Sequence, residues 1–159
     1  MLKIERTRDV ALATKIITDP SVYPHVTDDG APEPQDFIAV ETESVFYLLL
    51  KEDEDVLGMW LVHPHNFITC SVHTCMLPEG RGKRGLEGAR LCAAWVWENT
   101  QYRRIITEVP ETNRLALAFA KKAGMEQFGV NPKSFQKNGT IQDIIMLGIS
   151  SPEEPYQQH

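Results

Sequence analysis

The chain has 159 residues, of which 42% are hydrophobic and 24% are charged. This length suits one domain with its own core, and the composition is typical of a globular protein rather than a disordered or fibrous one. The 22 acidic and 16 basic residues give a formal net charge of −6, which repels phosphate backbones and argues against a general nucleic-acid-binding protein. We expect a single domain over residues 1–150 and a flexible tail over residues 151–159.

The cysteines and the apolar segments indicate a cytoplasmic protein that does not enter a membrane. Cys70, Cys75 and Cys92 contain no CxxC pair, so they predict neither a disulfide framework nor a four-cysteine zinc site. The longest apolar run, Val45 to Leu50, is far shorter than the roughly 20 residues of a membrane helix, and the first residues lack the core of a signal peptide.

The first half of the chain predicts a strand, a helix, a long loop and a three-stranded meander, in that order. Residues 2–6 suit a strand, and Asp9 is a suitable N-cap for a helix that ends before Asp19. Residues 21–35 are rich in proline and predict a loop, followed by a short helix over residues 34–40; loops of this length often border a functional site. Three strand-like runs with short connections then indicate antiparallel pairing: residues 44–51, 56–63 and 67–77.

The second half predicts two helices that alternate with strands. A helix follows residues 80–85, and these side chains are expected to pack on the sheet: Leu86, Ala89, Leu91, Ala93, Ala94 and Trp97. Residues 104–109 suit a buried strand, and residues 112–123 suit a second helix with Gly124 just after its end. The last two strands flank the hairpin dipeptide Asn138-Gly139: residues 125–130 and 141–149. The expected fold is therefore a mixed α/β domain.

The segment from Gly80 to Gly85 places three cations among three glycines where a helix begins. Free backbone N–H groups and the positive end of the helix dipole favour an anion there, and glycines let a phosphate approach the amides. No GxxxxGK[ST] or GxGxxG motif is present. The segment predicts a phosphate or pyrophosphate site, and a solvated basic turn that caps the helix is the alternative.

A second candidate site begins at Asn113, which follows the strand that ends near Pro110. The helix after it has a face of small residues, Ala116, Ala120 and Ala123, which lets a thin ligand lie close to its backbone. The alternative is an asparagine N-cap on an alanine-rich packing helix.

In this order and spacing, the motifs resemble the GNAT superfamily of N-acetyltransferases over about residues 45–149. Within it, the sequence resembles small bacteriophage-encoded acetyltransferase-like proteins, with which it shares these runs: His63-Pro64-x-Asn66, Arg81-Gly82-Lys83, Glu98-Asn99-Thr100 and Val109-Pro110-x-x-Asn113-Arg114. The resemblance implies a mostly antiparallel, twisted sheet that splays after strand 4 and is flanked by helices. It also implies acetyl-CoA as co-substrate, an amine of a protein or small molecule as acceptor, and the bacterial host cytoplasm if the protein is phage-encoded.

The resemblance assigns roles to particular residues. The strand from Thr74 to Leu77 would pair with the pantetheine arm of acetyl-CoA through its backbone, with Met76 and Leu77 as contact residues. Asn113 would hydrogen-bond the pantetheine or the acetyl region. The pyrophosphate would be held by the loop residues Arg81, Gly82, Lys83, Arg84 and Gly85. The loop departs from the family pattern (Gln/Arg)-x-x-Gly-x-(Gly/Ala), and Ala120 stands where a tyrosine commonly protonates the CoA thiolate.

Acetyl transfer needs a neutral amine, stabilisation of an oxyanion and protonation of the thiolate. A strand N–H near Cys75 or Met76 is a candidate oxyanion donor. His73 and Glu108 are the candidate catalytic bases, and a water-relayed base or no dedicated base are the alternatives.

Other interpretations stay open in the sequence. His63, His65 and His73 lie close together, yet Pro64 and Asn66 suggest a turn, so we expect no metal. A GNAT-shaped binding or virion-associated protein with little catalytic activity is the main alternative. The acceptor is not specified: polyamines, aminoglycosides and basic protein termini all suit a negative surface, and we expect the loop over residues 21–35 to cover the acceptor side. The oligomeric state is also open, a homodimer included, because the following residues suit either core or interface: Trp95, Trp97 and Tyr102.

Overall fold

A computed structural model describes residues 1–152 of the chain. Its seven strands are β1 (Leu2–Thr7), β2 (Phe46–Glu52), β3 (Asp55–Pro64), β4 (Thr69–Met76), β5 (Arg104–Pro110), β6 (Glu126–Lys137) and β7 (Thr140–Ser150). Its α-helices are α1 (Val10–Ile17), α2 (Tyr23–Val26), α3 (Lys83–Asn99) and α4 (Arg114–Lys122). The strands form one sheet in the order β1-β2-β3-β4-β5-β7-β6.

All strand pairs are antiparallel except β4 with β5. That parallel pair consists of three residue pairs: Thr69 with Arg104, Cys70 with Ile105 and Ser71 with Ile106. Beyond them, β4 continues to Met76 and β5 to Pro110 without pairing with each other. The sheet therefore splays between its fourth and fifth strands, and the predicted fold class is confirmed.

Helices cover both faces of the sheet, so its central strands are apolar on both sides. In β2, Leu48 and Leu50 belong to the core under α3, whereas Tyr47 and Leu49 belong to the core under α1. Successive side chains of a strand point to opposite faces, and a run such as residues 46–50 fills both cores at once. Tyr102 is buried in the α3 core, and Trp95 and Trp97 pack against that core.

The buried face of α3 differs from the predicted one. Its fully buried residues are Gly85, Gly88, Cys92 and Val96, whereas Leu86, Leu91 and Trp97 are only half-buried. The physical reason is close packing: a Cβ added at Gly88 would lie 2.6 Å from a methyl carbon of Leu50. Glycines bring the helix axis close to the sheet, and a prediction from hydrophobic residues alone overlooks them.

The ends of several elements agree with their sequence signals. Asp9 accepts a hydrogen bond from the Leu12 N–H at 3.0 Å and caps α1 as predicted. Asn138 and Gly139 both have positive φ, 52° and 76°, which confirms the hairpin turn between β6 and β7. The long loop contains one helical turn that was not predicted, α2, and the helix expected over residues 34–40 is only a 3₁₀ turn, Pro34–Asp36.

The C-terminal segment is anchored as far as it is described. Ser151, which the sequence places in the tail, is buried, and its N–H donates to the Arg103 carbonyl at 2.8 Å. Residues 153–159 of the predicted tail lie outside the described residues. None of the helices in residues 1–152 combines the length and apolar character needed to span a bilayer.

Candidate functional site

The splay leaves one edge of β4 open toward a cleft. Leu77 donates its N–H to the Leu57 carbonyl at 3.0 Å, on the β3 side. Because backbone groups alternate along a strand, those of Cys75 also point to β3, whereas those of Thr74 and Met76 point into the cleft. The cleft is held at its narrow end by Thr107, whose hydroxyl donates to the Val72 carbonyl at 3.0 Å.

This alternation selects among the predicted backbone donors. The Met76 N–H faces the cleft and the Cys75 N–H does not, so of the two proposed oxyanion donors only Met76 is suitably directed. The Met76 side chain itself is buried, in the core under α3. Leu77 is half-buried and packs against the core on the α1 side.

The three loop cations differ in their partners. The guanidinium of Arg81 donates to the carbonyls of Ser21 at 2.7 Å and Met76 at 3.3 Å, so it joins the long loop to the end of β4. Arg84 pairs with Glu52 at 3.0 Å. Lys83 is exposed and, within residues 1–152, has no hydrogen bond or ion pair. Among the described residues, Lys83 is therefore the loop cation that could bind a ligand without first breaking a hydrogen bond or an ion pair.

The backbone at the start of α3 presents several donors. The Leu86 N–H is bonded to the Gly82 carbonyl at 3.1 Å, while the preceding N–H groups, those of residues 82–85, have no partner in the described chain. Gly82 has a φ of 78° with open space around its Cα, and Gly85 is buried with no room for a Cβ, which would lie 2.6 Å from the Gly80 carbonyl oxygen. These glycines give the turn its shape, and four adjacent free amides suit an anion.

Asn113 forms the N-cap of α4. Its side-chain oxygen accepts a hydrogen bond from the Ala116 N–H at 3.2 Å. This is the N-cap role that the sequence indicates as the alternative to ligand binding. Its amide nitrogen forms no hydrogen bond within residues 1–152. The residue also lines a cavity between α2, α4 and the β6–β7 hairpin, so capping leaves a donor available to a ligand.

His73 and Glu108 lie on opposite sides of the splay. The last parallel pair is Ser71 with Ile106, and each candidate base follows one of these residues by two positions. Side chains two apart in a strand share a face, so His73 and Glu108 project on the same face of the sheet, from the two diverging strands. Glu108 is exposed, and within the described chain its carboxylate has no hydrogen bond or ion pair.

His73 contacts His63, one of the two histidines that lie near it in the sequence. Its Nε2 lies 3.0 Å from Nε2 of His63 on β3, and the two rings are nearly parallel, 14° apart, with centroids 5.1 Å apart. Desolvation of the ring, followed by the charge of His63, lowers the pKa of His73 to about 4, although the residue as a whole belongs to the exposed ones. Its imidazole is therefore neutral near pH 7, and one ring donates to the other.

The long loop is fastened to the β6–β7 hairpin by Asp29. Its carboxylate accepts hydrogen bonds from the N–H groups of Asn138 at 2.7 Å and Gly139 at 2.9 Å, and from the Gln136 side chain at 3.1 Å. These bonds, with that of Gly139 the largest contribution, hold the pKa of Asp29 below its ordinary value. Sequence reasoning missed this contact because it joins segments more than 100 residues apart.

Two further predicted features have a definite place. Ala120 is 5% exposed and packs with Val109 and Leu147, so the position of the usual tyrosine is part of the core. Within residues 1–152, no group of three or more His, Cys, Asp or Glu side chains is arranged to hold a metal ion.

A splayed mixed sheet with a glycine-rich turn and a helix after its fourth strand is the fold of the GNAT acetyltransferases, and solved structures share it with this chain. A candidate phosphinothricin N-acetyltransferase matches with a TM-score of 0.72 and 21% identity, over 96% of this chain and 100% of its own. Spermidine N-acetyltransferase from Vibrio cholerae, in complex with CoA and spermine, matches with a TM-score of 0.76 and 13% identity, over 94% of this chain and 95% of its own.

A third structure, a candidate acetyltransferase of the GNAT family from Chromobacterium violaceum, matches with a TM-score of 0.73 and 15% identity, over 94% of this chain and 82% of its own. No family model matches the chain, and no curated protein matches its sequence. At these identities the comparisons establish the fold.

Proposed function

We propose that the chain is an N-acetyltransferase that moves the acetyl group of acetyl-CoA to an amine of a protein or small molecule. The observation that carries this proposal is the open edge of β4 beside the free amides of residues 82–85. A pantetheine arm can pair with the strand edge while a pyrophosphate binds the amides, as the resemblance implies. Its source in a bacteriophage and its place in the host cytoplasm stay predictions.

The residues at the cleft suit a CoA-like ligand in hydrogen bonding and in charge. Thr74 offers an N–H and a carbonyl, Met76 offers an N–H, and the Met76 carbonyl is already occupied by Arg81. Lys83 adds a positive charge beside the amides, and charge-assisted hydrogen bonds to phosphate are about twice as strong as neutral ones. Asn113 adds the free donor of its side-chain amide on the opposite side of the opening.

We assign different roles to the two candidate bases. His73, with a pKa of about 4, binds a proton more weakly than an ordinary histidine and is a poor acceptor for the proton of an amine. Each unit of pKa corresponds to about 1.4 kcal/mol in the free energy of proton binding. His73 therefore suits a neutral hydrogen-bonding role, with His63 fixing its ring. The exposed Glu108 carboxylate suits acceptance of the proton from the attacking amine, and the Met76 N–H suits stabilisation of the developing oxyanion.

Calorimetry with acetyl-CoA and CoA tests the proposal first. We expect binding at micromolar concentrations, and its absence at high micromolar concentration would refute the proposed function. Thiol release from acetyl-CoA with a panel of amines then tests turnover. Glu108→Gln should lower kcat by about 10²-fold or more, the scale of general-base catalysis, whereas Glu126→Gln, an exposed carboxylate on β6, should leave kcat unchanged.

A catalytically weak binding protein is the second candidate, and the buried Ala120 favours it. A tyrosine hydroxyl is absent from this position, so protonation of the thiolate there would depend on water. This candidate predicts CoA binding of ordinary affinity without thiol release for any amine or for a host lysate. Acetylated proteins detected by mass spectrometry after incubation with the lysate would contradict it and identify the acceptor.

A further inference from the structure

A cavity of about 450 Å³ lies beside the C-terminal end of β5. Three separate parts of the chain form its walls: the α2 region, the end of β5 with the start of α4, and the β6–β7 hairpin. The lining residues are Pro24, His25 and Thr27, then Pro110 and residues 112–115, then Phe135, Lys137 and Gln142. Cavities of this volume hold small molecules. The hydrogen bonds of Asp29 to the hairpin turn join the loop that carries one wall to the hairpin that carries another.

The charge of this cavity is opposite to that of the whole chain. Arg114 and Lys137 line it together with His25, and none of the lining residues in the described chain is an aspartate or glutamate. The Lys137 amino group donates to the Thr27 carbonyl at 2.7 Å and to the Thr27 hydroxyl at 3.4 Å, which fixes it at the wall and leaves its third donor available. A net charge of −6 alone favours a cationic acceptor, whereas the two cations that line the cavity favour an anionic group, although the charge of Lys137 also acts on the nearby Asp29 carboxylate.

The cavity is distinct from the proposed pyrophosphate site. The loop residues 81–85 do not line it, because they follow β4 while the cavity lies beyond β5. Asn113 lines the cavity and is also the residue expected to hydrogen-bond the pantetheine or the acetyl region. A ligand held here would thus lie next to the pantetheine end of the co-substrate rather than next to its phosphates.

We infer that the acceptor amine carries a carboxylate and that this carboxylate binds between Arg114 and Lys137. The inference rests on the proposed function and specifies its substrate class: amino acids and related amino carboxylates, not polyamines. The exposed side chain of Leu115 and the half-buried Phe135 give the same cavity an apolar part, which suits a compact acceptor with some hydrocarbon.

Matched pairs of ligands test the inference by binding. Free amino acids, their carboxamides and spermidine are compared by ligand-observed NMR in the presence of CoA. We expect the carboxylates to bind at least tenfold more tightly than the carboxamides, because only the carboxylates form charge-assisted hydrogen bonds with the two cations. Equal binding of carboxylates and carboxamides, preference for spermidine, or no binding of any carboxylate would overturn the inference.

Variants locate the site and separate this inference from the proposed function. Arg114→Ala should reduce carboxylate binding at least tenfold and leave the affinity for CoA within twofold of wild type. Lys121→Ala, which removes a cation from the same helix outside the cavity, should change neither. Failure of the wild-type protein to bind CoA would refute the acetyltransferase proposal. CoA binding without discrimination between carboxylates and carboxamides would refute only the carboxylate site.

Discussion

The substitution Gly85→Ala tests whether the start of α3 binds phosphate through its amides. The new Cβ would lie 2.6 Å from the Gly80 carbonyl oxygen and 3.3 Å from a ring carbon of Phe119. Ordinary carbon–oxygen contacts are about 3.3 Å or longer, so the two segments must separate by roughly 0.7 Å. Gly80 has little space on its Cα side, where an added Cβ would lie 2.5 Å from the Leu57 carbonyl oxygen. We therefore expect the start of α3 to move.

A shift of this size changes ligand binding more than stability. It lengthens a hydrogen bond of about 2.9 Å to about 3.6 Å, beyond the effective range, and the loss of a bond to a charged group costs about 1.5–3 kcal/mol. We expect the Kd of CoA to rise by tenfold or more in calorimetry. The cost of overpacking, about 1–3 kcal/mol, is partly offset by the higher helix propensity of alanine, about 1 kcal/mol.

The matched control is Gly129→Ala, where the nearest atom to the new Cβ is a Met146 sulfur at 4.0 Å. We expect this variant to bind CoA as the wild-type protein does. Circular dichroism should show that Gly85→Ala unfolds at most several degrees lower, since 1 kcal/mol shifts Tm by about 2–4 °C in a domain of this size. A Gly85→Ala protein whose CoA affinity stays within twofold of wild type would refute the role of the amides.

Four further outcomes are expected. Gly88→Ala should destabilise the fold by about 1 kcal/mol net, measured by urea unfolding, because its Cβ collides with the buried Leu50; a stabilised variant would contradict the close packing of α3. Asp29→Asn should lower Tm at pH 7, because the ionised Asp29 carboxylate stabilises the folded protein and has a lowered pKa there. The difference in Tm between wild type and variant should shrink as the pH falls below about 4 and the carboxylate becomes protonated. Asn113→Ala should cost about 1 kcal/mol through the lost cap, whereas Asn113→Ser should keep stability and lose CoA affinity if the amide binds the ligand. The wild-type protein should lose stability between about pH 6.5 and pH 4, because His73 binds a proton in the unfolded chain over this range but stays neutral in the folded protein. The His73→Gln variant should show a smaller loss in thermal scans.

The sequence by itself determined the elements whose causes are local. Asp9 caps α1 through its neighbour three residues on, and Asn138-Gly139 adopts the positive φ angles of a two-residue hairpin. The basic glycine segment and Asn113 could both be singled out as candidate ligand sites because a helix start exposes its amides whatever the rest of the fold does. Hydrophobic periodicity was enough for the remaining strands and for the order of elements that indicates the fold.

Tertiary structure decided which partners those residues have. Within residues 1–152, Lys83 is the one loop cation without a partner, because Arg81 and Arg84 are bonded to segments far away in sequence. The His63–His73 contact depends on the register of two strands. The charge of the whole chain predicted a cationic acceptor, yet the cavity walls gather Arg114 and Lys137 from α4 and the hairpin. Net charge is a sum over the sequence, whereas a ligand responds to the few charges that folding brings near it.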